Sequence, residues 1–378
     1  MARQSSQPLV MIELLRFVCA VAVMACHYGV GFWRAPGVRP AMMLDGIGYR
    51  APSEGWLQFG WLGVEIFFVI SGMMIARSAV GSSAGDFLRR RVLRLAPGAW
   101  VCGTVTLIAL TLSLGPSSAL LGAWVRSVTF WPMGQQIDAA YWTLGIELAF
   151  YFAVAACLGS AGRARRIEQV GAAIGVASGV FWLACLAAGP AAGWLFTQRV
   201  PQLLLLPYGC FFALGIVIAR CQADGMTLRR SAGLAALLAI GGIEVAVHAL
   251  ESANETGLPV ATVPAVGLFT AAMAALLLAE RAQPMLARCV TPARARTVGM
   301  MTYPLYLVHQ EAGAVLVRAL ASLGMPIGAA LLASAAAALT AAWLIARLGE
   351  PAARRWLARR IEGLAPSGRR IATALPLA

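Results

Sequence analysis

The sequence predicts an all-α integral membrane protein with about ten transmembrane helices and both termini cytoplasmic. Composition is the first reason. Of 378 residues, 60% are hydrophobic and 12% are charged, and the mean hydropathy is +0.76. A soluble domain is near half apolar and about a quarter charged. Spacing is the second reason: the apolar residues fall into ten runs, most of them close to the ~20 residues that span hydrocarbon. The third is the placement of basic residues, which alternates from loop to loop.

The runs cover 9–32, 61–75, 97–114, 141–158, 170–188, 200–219, 231–250, 260–278, 298–320 and 327–348. Ten spans put both termini and alternate loops on one side. That side carries 23 arginines, the other only Arg34, Arg39, Arg50, Arg126, Arg199 and Arg318. Loops rich in basic residues stay in the cytoplasm, so both termini are assigned there. The formal charge of +14 therefore orients the chain in a bilayer. Membrane lipids are the expected surroundings, and nucleic acid is not an expected partner. The basic residues are all arginine, a coding bias rather than a chemical signal. The first run has no convincing small-residue cleavage site after it and reads as a retained helix. A multi-span unit, 1–362, is followed by a short tail, 363–378, expected to be disordered.

Eight cysteines are scattered with no CxxC pair. They read as small buried apolar residues, and no metal is expected. Ionisable residues inside spans are rare and expensive, which makes each one a functional candidate. In "RFVCAVAVMACH", Arg16 and His27 are 11 residues apart. That is three helical turns plus about 20°, so they share a face and stand about 16 Å apart along the axis. "GVEIFFVISG" brings Glu65 and Ser71, with Gly72 permitting close helix approach. "FLRRRVLRLAPGAW" is a basic loop in which Arg91 and Arg94 lie side by side if helical. Guanidinium forks match phosphate oxygens.

"YWTLGIELAFYF" places Glu147 among apolar neighbours, about two turns inside its span, with Trp142 at the outer end. "TYPLYLVHQE" puts His309 near mid-membrane, with Tyr303, Tyr306 and Gln310 as available partners. Depth then sorts these groups. Arg16, Arg91 and Arg94 mark a basic cytoplasmic end, while His27 and Glu147 fall in the outer half. A phosphate-bearing reagent suits the first, and a neutral hydroxyl suits an imidazole.

These stretches, together with "GEP" at 349–351, resemble the successive motifs of the membrane acyltransferase-3 family, in order, from about Ile12 to Pro351. Any one motif is weak, but six in register are specific. The resemblance implies a ten-helix enzyme that takes an acyl group from cytoplasmic acyl-coenzyme A, acetyl by default. The acceptor it implies is a hydroxyl of a carbohydrate, a lipid-linked glycan or a small molecule. It implies that His27 and Glu147 are catalytic, that Arg16, Arg91 and Arg94 hold the donor, and that Glu65, Ser71, Trp142, Tyr303 and His309 support the site. Ala99 and Gly145 depart from common family choices without removing any of these groups.

The expected chemistry is general-base attack assisted by His27, with Glu147 or Glu65 orienting the imidazole. An acyl-enzyme on His27 is an open alternative. The expected location is a bacterial inner membrane. A proton-coupled transporter is the rival function, because intramembrane His and Glu also form proton relays.

Overall fold

The computed structural model describes residues 9–35, 37–52, 54–158 and 164–363, and residues 364–378 of the expected tail lie outside them. The described chain is helical, with no strand among the described residues. The principal helices are α1 (Val10–Cys26), α2 (Leu62–Ala79), α3 (Ala84–Leu114), α4 (Trp142–Leu158), α5 (Ala164–Ala188) and α6 (Gly209–Asp224). They continue as α7 (Leu228–Thr256), α8 (Thr262–Cys289), α9 (Pro292–Val308), α10 (Glu311–Ser322), α11 (Ile327–Leu344) and α12 (Glu350–Gly363). Polar caps set several starts. Ser83, Thr227 and Thr291 each accept a hydrogen bond from the backbone N–H three residues on, satisfying donors that a helix start leaves open.

Among the described residues, eight helical segments are long and apolar enough to cross a membrane. They are Val10–Arg34, Glu54–Ala79, Ala84–Leu114, Ala139–Leu158, Arg165–Ala188, Leu228–Thr256, Thr262–Cys289 and Ile327–Ile361. The other two expected runs are interrupted helices. Residues 200–219 divide into a short helix, Arg199–Leu203, and α6, with Leu205 at φ 59° between them. Pro207 explains this, because proline lacks an N–H and pushes the preceding residue away from helical angles. Residues 298–320 divide at His309–Gln310 into α9 and α10. The N–H of Glu311 goes to Asp138 Oδ2 at 3.0 Å, outside the helical ladder.

The basic stretch expected as a loop is helical instead. Residues 84–114 form one helix through Pro97, so Arg91 and Arg94 do share a face.

Two buried cores organise the bundle. α6 is apolar nearly all round and is almost wholly buried against α2, α5 and α7, as expected for a helix at the centre of a core. The second core gathers α9, α10, α11 and the C-terminal turns of α1 around Tyr28, Leu305 and Leu307. α1 and α4 contribute to both cores. α2 crosses α6 closely, backbone against backbone. A Cβ on Gly72 would strike the Phe212 backbone, and one on Gly215 would strike the Val69 carbonyl. Because these neighbours are backbone, they cannot rotate away. Gly215→Leu should therefore cost at least ~1–3 kcal/mol of stability. Thermal unfolding in detergent should show a clearly lowered midpoint, and an unchanged midpoint would contradict this packing.

Candidate active site

His27 begins a π-helical turn, His27–Gly31, at the end of α1. Such turns re-aim side chains and occur frequently at functional sites. Its Nδ1 lies 2.8 Å from Nε2 of His309, and the two rings are within 10° of parallel. His309 Nδ1 lies 2.8 Å from the Leu305 carbonyl. A carbonyl only accepts, so His309 Nδ1 carries the hydrogen and donates. In the neutral pair, His309 Nε2 is then the acceptor and His27 Nδ1–H is the donor. The lone pair of His27 is thereby held on Nε2, the nitrogen turned away from His309. His309 is fully buried, while His27 is half-buried. Tyr28 braces the pair by donating from its hydroxyl to the His309 carbonyl at 2.9 Å.

The helix break puts His309 where it can do this. Asp138 Oδ2 accepts from Glu311 N, and its Oδ1 accepts from Ala140 N at 2.9 Å. Arg39 lies 3.4 Å from Glu311 Oε1 and donates to the Ile137 carbonyl at 2.9 Å. Burial pushes the Asp138 carboxyl upward, and its two backbone donors and Arg39 oppose that shift.

A second group of polar residues sits toward the Arg77 end of α2. Ser71 donates to Glu147 Oε1 at 3.1 Å, and the Tyr151 hydroxyl donates to the same oxygen. Arg91 donates to Ser78 Oγ at 2.7 Å and lies over the Phe87 and Tyr151 rings. Arg16 pairs with Glu13 at 3.2 Å and is within electrostatic range of Arg94 and Glu147. Tyr303 donates to the Leu95 carbonyl at 3.0 Å and packs with Glu350 against Gly98. Arg94 is half-buried and makes no hydrogen bond or ion pair among the described residues. Its guanidinium is therefore available to an anion.

The remaining predicted residues lie elsewhere. Glu65 approaches His248 at 3.2 Å. Trp142 lines a cavity of about 610 Å³ together with Phe196, Arg199, Gln202, Tyr208 and His248. Neither Glu65 nor Glu147 hydrogen-bonds His27 among the described residues. The orienting contact expected from a carboxylate is made by His309. Glu147, expected beside His27 in the outer half, instead joins the group that contains Arg16 and Arg91.

A family model described as an acyltransferase domain matches residues 10–347. The chain belongs to the acyltransferase 3 family. No curated relative and no solved structure matches it. The match runs through the cavity and, Glu350 excepted, through both polar groups, so these lie in the acyltransferase domain, and the long apolar helices make that domain an integral membrane one.

Several residues of this acyltransferase escaped sequence reasoning. Glu244 and His248 are four apart in an apolar run, a signal that was legible. Asp138, outside any helix, and Arg39, at the start of the short helix Arg39–Met43, gave none, because their role comes from the distant N-terminus of α10. Asp138→Ala should remove that cap and leave Arg39 with one carboxylate fewer. A cap is worth about 0.5–2 kcal/mol, and thermal unfolding should show a loss of at least this size.

Proposed function

We propose that the chain is an O-acyltransferase of a bacterial inner membrane. In this reading, the multi-span domain 1–362 moves an acetyl or other short acyl group from cytoplasmic acyl-coenzyme A to a hydroxyl of a cell-surface carbohydrate or glycolipid. The observation that carries the reading is the His27–His309 pair, whose hydrogen bonds leave His27 Nε2 as a base.

The steps follow from that lone pair. His27 Nε2 takes the acceptor hydroxyl's proton as the oxygen attacks the thioester carbonyl carbon, forming the C–O bond. The resulting imidazolium keeps its Nδ1–H bond to neutral His309. The tetrahedral intermediate collapses with cleavage of the C–S bond. The proton on Nε2 passes to the departing sulfur, releasing the O-acyl ester and the coenzyme thiol.

His309 is a positioning residue in this scheme: through Leu305 it sets the His27 tautomer, the task that a carboxylate performs in a Ser-His-Asp triad. Arg94, which makes no hydrogen bond or ion pair among the described residues, and Arg16 and Arg91 hold the donor's phosphates. Glu147 holds Tyr151 and Ser71 beside those arginines, a supporting role close to donor binding. The excess of arginines on alternate loops supports a cytoplasmic donor side. The cavity bearing Trp142, Phe196 and Tyr208 beside Arg199 and Gln202 suits an acceptor with apolar ring faces and hydroxyl edges.

Inverted membrane vesicles supplied with acetyl-coenzyme A, labelled in the acetyl group, test this reading through label transfer to lipid or glycan. His27→Ala should lower transfer by about 10²- to 10⁴-fold. His309→Ala should lower it less, mainly in kcat, with the donor KM unchanged. Equal transfer by wild type and His27→Ala, at matched protein levels, would sink the mechanism. Arg94→Ala should act differently, raising the donor KM about tenfold or more with a smaller change in kcat, since a charged hydrogen bond is worth about 1.5–3 kcal/mol. A fall in kcat at constant KM would move Arg94 out of donor binding.

A further inference from the structure

Away from the His27–His309 pair, two carboxylates and an imidazole converge where α2 meets α7. Glu244 and His248 stand one turn apart on α7 and so share a face, while Glu65 comes from the first turn of α2. Their donor atoms all lie within 4.8 Å of one another. Glu244 is 0% exposed and Glu65 is 1% exposed. His248 Nδ1 is 3.2 Å from Glu65 Oε1 and 3.8 Å from Glu244 Oε1. Yet Glu65 Oε2, both Glu244 oxygens and His248 Nδ1 all lack hydrogen-bond geometry to any partner among the described residues. Among the described residues, no arginine pairs with either carboxylate.

Buried polar groups are normally satisfied, and a buried charge is paired or coordinates a metal. Here two acidic side chains face one imidazole, which supplies one positive charge at most. Two elements of the arrangement point the same way: convergent donor atoms, and carboxylate oxygens without hydrogen-bond geometry to a donor among the described residues.

We propose that Glu65, Glu244 and His248 bind a divalent cation of the zinc type. One imidazole nitrogen and two carboxylate oxygens form a mixed set of three protein ligands, the number found in zinc sites that keep one position open. Calcium and magnesium prefer oxygen-only shells with more ligands. With His248 neutral, the two carboxylates match the charge of the ion. Trp61 stacks on His248 at 4.0 Å between ring centroids and limits rotation of the imidazole plane. His248 also lines the 610 Å³ cavity, so the ion sits in its wall and ties α2 to α7. This site needs neither acyl-coenzyme A nor the His27 mechanism, and it can stand or fall independently of the acyltransferase reading.

The test uses the full chain purified in detergent with its affinity tag removed. Zinc content is measured by elemental analysis, and affinity by competition with a chelating dye. Chelator-treated wild type should take up one zinc per chain, and its thermal midpoint should rise with zinc concentration. Glu244→Gln and His248→Gln, checked as monodisperse by size exclusion, should bind at least about tenfold more weakly. A Cys157→Ser/Cys289→Ser variant, which removes two exposed thiols, should bind as wild type does. The proposal is overturned if chelated wild type neither takes up stoichiometric zinc nor changes its midpoint. Tighter binding of calcium or magnesium overturns it too, as does undiminished zinc affinity in both glutamine variants.

Discussion

Hydrocarbon forms no hydrogen bonds, so the backbone polar groups this chain carries into its spans need partners within the protein. The carbonyl of Leu305 shows what that constraint achieves. It fixes the hydrogen on His309 Nδ1, which makes His309 Nε2 an acceptor, which fixes the hydrogen on His27 Nδ1. A single backbone oxygen thus determines which nitrogen of a half-buried imidazole is basic. In water, either tautomer would have solvent as a partner, and the choice would be lost.

The same constraint accounts for the broken helix beside it. An interrupted ladder is tolerated at membrane depth only where other protein groups take over its hydrogen bonds. Here Asp138 accepts the Glu311 N–H, Tyr28 donates to the His309 carbonyl, and Arg39 stands beside the Glu311 carboxylate. The break turns α10 away from α9 and presents His309 to α1. The π-helical turn at His27 is the matching irregularity on the opposite side. Two deviations from regular helix therefore meet at one hydrogen bond.

Rigid helices connect this pair to the rest of the protein. α1 carries Arg16 about 16 Å from His27, and α2 carries Ser71 toward Glu147 and Glu65 toward His248. The close approach of Gly72 and Gly215 locks α2 against the central helix α6. Polar groups at different heights along these helices thus hold defined separations, as a reaction drawing on two different reagents requires.

Composition, run length and arginine distribution were sufficient for the helical membrane class, and six ordered motifs were sufficient for the family. Within one helix, periodicity also placed Arg91 beside Arg94. These are local properties, because 3.6 residues per turn relates nearby positions whatever lies around them. The continuity of α3 through Pro97 and the breaks at Leu205 and His309 were not legible, because the neighbours that permit them come from elsewhere in the chain. The partnership of His27 with His309 spans 282 positions, and Glu65 meets His248 from a separate helix. Both were decided by how helices pack and rotate against one another. The sequence by itself determined which reactive groups are carried on long apolar helices. Only the tertiary structure decided which of them touch, because helix periodicity orients a side chain around its own axis but cannot say which helix stands opposite.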